Sequence, residues 1–416
     1  MTEPLRPPPK KNPQIRTPVP HVPPMLRSRA ALGLTLAAAE GRFMLQACAA
    51  CGALQYPPRD ACRACLSTDL RWQDVPPEGE LLAETRVQTS PDLYFRARTP
   101  WRMGMVRLDA GVSILCHLHG DCATGTRVRL ISRLDRAGQG VIMARPREAS
   151  ENMEDDPELR ELSAHPRHRR VLITDARAPE APALAEALLA AGASTVFMGE
   201  SEAWRAWPGR DRLAAMERVH LLPLDVTDTS SVRELAGEIG GKTDILINNA
   251  RHIRPGGIFA RGDTVFARDE MEVSYLGLMR LAQAFGPVMR ARGGDGASSA
   301  VAWVNFVSAN ALAGDPAYGA SSAAHAAAAS ALHALRAEMR PGGVRVMRLW
   351  IGPVDDEWHQ EMPPPKLTPP AIARAVVRGL VEGLEEVPCG DAAQDLWQRW
   401  RRDALLAERE RLEGGA

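Results

Sequence analysis

The sequence predicts a multidomain chain: a small metal-stapled ribbon, then a small β-barrel, then an α/β unit built on a doubly wound parallel sheet. Three observations predict it. Two C-x-x-C knuckles, Cys48/Cys51 and Cys62/Cys65, lie close together. After Trp72 come short apolar runs separated by Gly, Asp and Pro: "ELLAETRVQ", "RMGMVRLD", "VSILCHLHG", "TRVRLIS" and "GVIMARP". That texture suits a small antiparallel barrel. From Val171 onward strand-like and helix-like segments alternate: "VLIT", the helix "ALAEALLAAGA", "STVFM", "VHLLPLDVTD", "TDILINNA", "AWVNFVSAN" and "VRVMRLW". Alternation of this kind implies a parallel sheet covered by helices on both faces. No internal repeat interrupts the pattern.

The elements follow in order. Residues 1–25 are rich in proline, carry Lys10 and Lys11, and are expected as a disordered arm. Residues 26–72 are expected as a helix, from Met25 to about Leu45, followed by the ribbon, and residues 73–146 as the barrel. The charged stretch "REASENMEDDPELRELSAHPRHRR" marks residues 147–169 as a linker. Residues 170–416 form the α/β unit, ending in an amphipathic helix whose apolar set is Leu396, Trp397, Trp400, Leu405 and Leu406.

Lys+Arg and Asp+Glu both total 51, so no net field points to nucleic acid or an acidic membrane. No apolar run approaches the roughly 20 residues of a membrane span, and no signal-peptide core is present. A cytoplasmic protein is expected. Only Lys10, Lys11, Lys242 and Lys366 are lysines, so few can serve catalysis.

Each C-x-x-C knuckle brings two thiolates to one ion, and two knuckles complete a tetrahedral shell. Cys48, Cys51, Cys62 and Cys65 leave no position open for water, so a structural zinc is expected. Cys116, Cys122 and Cys389 are scattered.

The segment "RFMLQACAACGALQYPPRDACRACLSTDLRWQDVPPEGELLAETRV" resembles a family that joins a rubredoxin-like zinc ribbon to an OB-fold. The knuckles, "YPPRDAC", the following Trp and the glycine before "LLAET" carry the resemblance, which spans roughly residues 26–146. It implies a non-enzymatic partner of thiolases and related acyl-CoA enzymes, whose OB-fold holds or passes the acyl-CoA thioester. OB-folds also bind nucleic acid through basic grooves and stacking aromatics. Arg86, Arg96, Arg98, Arg102, Arg107, Arg127, Arg129 and Arg133, with Tyr94, Phe95 and Trp101, suit either ligand. The resemblance favours the coenzyme and no nucleic acid.

From Arg170 to about Gly390 the chain resembles the short-chain dehydrogenase/reductase family, which implies a Rossmann-like fold. "VLIT", "LPLDVTD" with Asp225, "ILINNAR" with Asn249, "EVSYLGLMRLAQAFGPVM", "VNFVSANALAGDPAYGASSAA" and "IGPVDDEWHQ" match in order. The departures fall on the chemistry. Aligned on Thr174, the three cofactor-turn glycines are Asp175, Pro179 and Ala181, which removes close backbone approach to a diphosphate. Arg251 replaces the glycine of "NNAG", and its side chain is expected to reach into the cofactor space. Ser308 and Tyr318 stand where the family has its catalytic serine and tyrosine. The lysine position is Ser322, however, and the asparagine of the central helix is Ser274. Free tyrosine titrates near ~10, so neutral-pH proton transfer needs the missing cation.

These readings point to a pseudoenzyme: a non-catalytic accessory subunit that binds acyl-CoA and docks a thiolase-like enzyme. The dehydrogenase-like half, with NAD(P) not bound, would serve homo- or hetero-oligomer assembly. The alternative is an NAD(P)-dependent hydroxyacyl-CoA dehydrogenase, with Ser308 and Tyr318 as its surviving pair.

Overall fold

The computed structural model describes residues 2–10, 16–260, 262–360, 362 and 364–413. The chain forms two compact units, one mainly of residues 21–165 and the other mainly of residues 166–380 with the chain from Glu385 onward. Of the expected N-terminal arm, residues 1 and 11–15 lie outside the described residues, and the described remainder has no helix or strand.

In the first unit the expected long helix is a short one. Ser28 accepts from the Ala30 amide to cap a 3-10 turn, and α1 (Leu32–Ala39) follows. The chain then enters β1 (Met44–Cys48), which pairs antiparallel with β2 (Leu54–Gln55) and β3 (Leu70–Asp74). Gly33 lies against Trp72, where a Cβ would sit 2.1 Å from the indole ring. Only glycine permits that contact.

β4 (Glu78–Val87), a helical turn α2 (Leu93–Arg96), β5 (Trp101–Leu108), β6 (Ser113–Leu118), β7 (Arg127–Leu134) and β8 (Gly140–Pro146) follow. The five strands close into a barrel in the order β4-β5-β6-β8-β7. Alternation places Leu81, Val106, Ile114, Leu118, Val128 and Leu130 inside. Burying each contributes roughly 1.5–3 kcal/mol.

Residues 147–169, expected as a charged linker, are instead folded as far as Ala164. A 3-10 turn (Met153–Asp155) and α3 (Pro157–Glu161) set Leu159 and Leu162 against Ile131 and Met143 of the barrel. Two of its acids, Glu161 and Asp156, tie it down. Glu161 accepts from the Tyr94 hydroxyl at 2.9 Å and bridges Arg98 at 3.3 Å and Arg136 at 3.4 Å. Asp156 caps α3 through the Leu159 amide.

The second unit contains β9 (Arg170–Ile173), α4 (Ala181–Ala190), β10 (Thr195–Glu200), α5 (Arg210–Ala214), β11 (Val219–Pro223), α6 (Thr229–Ile239) and β12 (Ile245–Asn248). α7 (Val265–Met271) runs through a π-helical turn (Glu272–Leu276) into α8 (Gly277–Ala291), making the long central helix. β13 (Ala302–Ser308), α9 (Gly319–Met339), β14 (Arg345–Ile351), α10 (Pro369–Glu382), β15 (Glu386–Cys389), α11 (Asp391–Arg402) and α12 (Ala404–Glu413) complete it. The seven strands are parallel, in the order β11-β10-β9-β12-β13-β14-β15. Strand order reverses between β9 and β12, which opens a crevice at their C-terminal ends.

The expected single C-terminal helix is two, broken at Asp403, whose carboxylate caps the Leu406 amide at 3.0 Å. Trp397 stacks on Trp400 and packs against Trp350 of its own unit, whereas Leu405 and Leu406 face solvent. Arg411 donates to Asn310 at 2.6 Å and to Asp315 at 2.7 Å. No helix among the described residues is long and apolar enough to cross a membrane.

Candidate functional site

Two knuckles of matching geometry gather the four cysteines. In the first, the Gly52 amide donates to the Cys48 carbonyl at 2.8 Å; in the second, the Leu66 amide donates to that of Cys62 at 3.0 Å. Gly52 and Leu66 both take positive φ, +73° and +62°. Such a turn exposes inward-facing amides to the sulfurs. The Cys65 and Ala64 amides hold the Cys62 thiol down to about 6, and the Cys51 amide lowers Cys48. All four Sγ atoms lie within 4.8 Å of one another, the one such group of metal-ligating residues among the described residues. The donor set fits a tetrahedral thiolate-bound ion.

In the second unit the crevice is defined by Thr174 at the end of β9 and by Asn248 and Asn249 at the end of β12. Thr174 Oγ1 donates to Asn248 Oδ1 at 2.8 Å. Asn249 reads the backbone of Asp175 both ways, accepting from its amide and donating to its carbonyl at 2.9 Å. The asparagine therefore fixes the turn. Asp175 caps that turn through the Arg177 amide, and burial pushes its carboxyl up. Pro179 is exposed and Ala181 is fully buried at the start of α4.

Between them stands Glu180, fully buried, in a two-pronged ion pair with Arg251 at 2.9 and 3.0 Å. Arg251 thus closes on the glycine-turn segment itself. Glu200, at the end of β10, is also committed: Trp207 Nε1 and Arg210 Nε each donate to it at 2.7 Å. An acidic residue at that strand end, about 20 residues beyond the turn, holds the ribose in dinucleotide folds. The spacing from Thr174 was the signal that could have singled Glu200 out. Asp225 accepts from the Thr227 amide and hydroxyl at 2.8 and 2.6 Å, closing its own turn.

Ser308 Oγ accepts from the Asn310 amide at 3.2 Å. Tyr318 is 5% exposed, and its hydroxyl donates to the Trp358 carbonyl at 2.9 Å. The His359 ring stacks on Tyr318 with centroids 5.5 Å apart, held by Asp356 Oδ1 at 2.7 Å from its Nδ1. Arg254 lies 3.9 Å over the Trp358 ring. Sequence reasoning missed Glu180, Trp358 and His359, because their partners are set by tertiary packing. Ser322 and Ser274 are buried in α9 and the π-helical turn.

The barrel arginines are largely committed. Arg102 bridges Glu84 at 2.5 Å and donates to the carbonyls of His119, Gly120 and Cys122. Arg127 pairs with Asp109, Arg129 lies 3.9 Å from Glu78, and Arg96 donates to the Ser90 and Pro91 carbonyls. Arg98 lies 3.9 Å over the Tyr94 ring and Arg133 is buried. Arg86 and Arg107 are exposed on β4 and β5. Tyr94 and Trp101 are buried, and Trp101 Nε1 donates to His117 Nδ1 at 2.8 Å.

Comparison with known proteins accords with both halves. Residues 37–71 match the "ChsH2, rubredoxin-like zinc ribbon domain" family and residues 72–132 the "ChsH2, C-terminal OB-fold domain" family. Residues 169–366 match the short chain dehydrogenase family. The chain joins a ChsH2-type zinc ribbon and OB-fold to a short-chain dehydrogenase domain. It is 32% identical over 149 residues to short-chain dehydrogenase PC-15 of Penicillium crustosum, covering 34% of this chain and 51% of that protein. Short-chain dehydrogenase ptmH of Penicillium ochrochloron matches to the same extent. The chain thus spans about half the length of the curated relatives it matches. A short-chain dehydrogenase from Burkholderia cenocepacia J2315, solved in complex with NADP, is 30% identical. It aligns over 59% of this chain and 97% of its own, with a TM-score of 0.53.

Proposed function

We propose that this chain is a non-catalytic accessory protein. Its ribbon and OB-fold bind an acyl-CoA thioester and dock a thiolase-like acyl-CoA enzyme, while its short-chain dehydrogenase domain serves dimerisation or assembly. The observation that carries the loss of catalysis is the buried Arg251–Glu180 pair at the dinucleotide turn. A diphosphate entering there would displace a desolvated ion pair and meet no glycine cradle. NAD(P) is therefore not expected to bind. Tyr318 agrees with this reading: its hydroxyl donates to a main-chain carbonyl, and Ser322 supplies no cation beside it.

Cys48, Cys51, Cys62 and Cys65 hold one structural zinc, with no position left for substrate. The burial of Tyr94 and Trp101 disfavours stacking of nucleic-acid bases and supports the coenzyme as the ligand of the barrel. Arg86 and Arg107 are the exposed cations suited to its phosphates. The protein would act in the cytoplasm. Capture of the full chain from its native cells, with identification of what co-purifies, tests the partner. A thiolase-like subunit in near-equal amount is expected, whereas recovery of the chain alone would reject the docking role.

The second reading is an NAD(P)-dependent hydroxyacyl-CoA dehydrogenase. It is favoured by the retention of both Ser308 and Tyr318 and by the Burkholderia relative solved with NADP.

A further inference from the structure

Glu200 leaves the sheet directly beside the turn that borders the crevice. β10 pairs with β9, and the Ala176 amide donates to the Gly199 carbonyl at 2.7 Å. The two strands approach so closely here that a Cβ on Gly199 would lie 2.4 Å from the Thr174 carbonyl oxygen. Glu200 also follows Ala181, the last of the three cofactor-turn positions, by 19 residues. Register and spacing both give it the place of the acid that accepts from the adenosine ribose in dinucleotide folds.

In this chain the donors to that acid are internal. Glu200 is 3% exposed. Trp207 Nε1 and Arg210 Nε each donate to its Oε1 at 2.7 Å, and Arg210 Nη2 donates to Oε2 at 3.2 Å. A carboxylate has about four acceptor positions, so most of its capacity is taken. An indole N–H is the same kind of donor as a ribose hydroxyl, and at this distance from Oε1 it stands where that hydroxyl would. The segment that carries it is also fastened to the cofactor turn. Arg177, within the turn, donates to Glu202 at 3.1 Å, and Arg205 lies 3.6 Å from the same carboxylate. The two indoles of the segment differ in kind. Trp204 is 81% exposed, whereas Trp207 is half-buried against Glu200.

We propose that Trp207 plugs the adenosine half of the crevice, an internal stand-in for the ribose that Glu200 would otherwise hold. The plug deepens the reading that this domain binds no NAD(P), and it rests on that reading. Two parts of the crevice are then closed by different residues. Arg251 and Glu180 exclude the diphosphate, and Trp207 excludes the nucleoside.

Adenosine monophosphate is the probe that separates them, because it carries the nucleoside without the diphosphate. Calorimetric titration of the unmodified full chain should show no saturable binding. Trp207→Ala should bind the probe saturably, a gain of about tenfold or more, since one hydrogen bond to a charged acceptor becomes available to the ribose. Arg210 still pairs with Glu200 in this variant, so no buried carboxylate is left uncompensated, and circular dichroism checks its fold. Trp204→Ala, on the same segment, should gain nothing. Nuclear magnetic resonance of the unmodified chain gives a readout that needs no cavity: the Trp207 indole proton should exchange with solvent far more slowly than that of Trp204. Binding of the probe by the unmodified chain, no gain in folded Trp207→Ala, an equal gain in Trp204→Ala, or equal exchange of the two indole protons would each overturn the plug alone. Saturable binding of NAD by the unmodified chain would instead overturn the reading on which it rests, and the plug with it.

Discussion

Arg251 and Glu180 each carry a charge that the surrounding interior tolerates only because the other is there. Removing one partner of a buried pair leaves the other uncompensated and costs about 3–5 kcal/mol. Arg251→Ala should therefore lower unfolding stability by that order, and Arg251→Ala with Glu180→Ala should recover much of it, as read by denaturant titration. Ser322→Lys alone should yield no dehydrogenase, because the phosphate turn is still closed, and it should destabilise the domain by placing a second cation near Arg251. Acid sensitivity belongs to this scale as well. His117 accepts from Trp101 through Nδ1 and its pKa is held down to about 4 by burial and by Arg27. The unfolded chain takes up that proton near pH 6.5 and the folded chain only near 4. Stability should thus fall from pH 6.5 to 4 by on the order of 3 kcal/mol at most for this group. His117→Gln should flatten that slope. The sequence made the glycine-to-arginine change at Arg251 legible, and with it the suspicion that the cofactor space is filled. Glu180 was not legible, because a carboxylate between proline and alanine shows nothing of a partner 71 positions away.

At the scale of elements, the two knuckles are local, so their spacing alone identified the ribbon. Purified protein should contain about one zinc per chain, measured by metal analysis. Cys62→Ser should unfold the ribbon and weaken docking while leaving the second unit intact by proteolysis and circular dichroism. A metal-free ribbon that resists proteolysis as well as the loaded one would contradict this. The charged stretch before β9 was misread for the opposite reason. Its few apolar residues, Met153, Leu159 and Leu162, are enough to dock it, and one of its acids, Glu161, finds Arg98 and Arg136 far away in the sequence. Composition sees the charges but not their pairing. The break at Asp403 went unseen because the apolar residues on either side of it keep a helical spacing.

For the whole molecule, the alternation of strands and helices and the run of short β-segments predicted both folds, since each period reports which faces are buried. Neither period reports what a crevice accepts. The barrel should bind a coenzyme A thioester more strongly than single-stranded DNA in a direct binding titration, and Arg86→Ala with Arg107→Ala should weaken the former several-fold. DNA binding with a steep salt dependence, and none to the thioester, would reverse the assignment. The second domain decides the central claim, and calorimetric titration of the purified full chain with NADP and with NAD tests it most directly. No saturable binding of either at ordinary concentrations is predicted, and no oxidation of hydroxyacyl-CoA thioesters in their presence. Saturable binding, with turnover that Tyr318→Phe abolishes, would contradict the account and make this chain a working dehydrogenase.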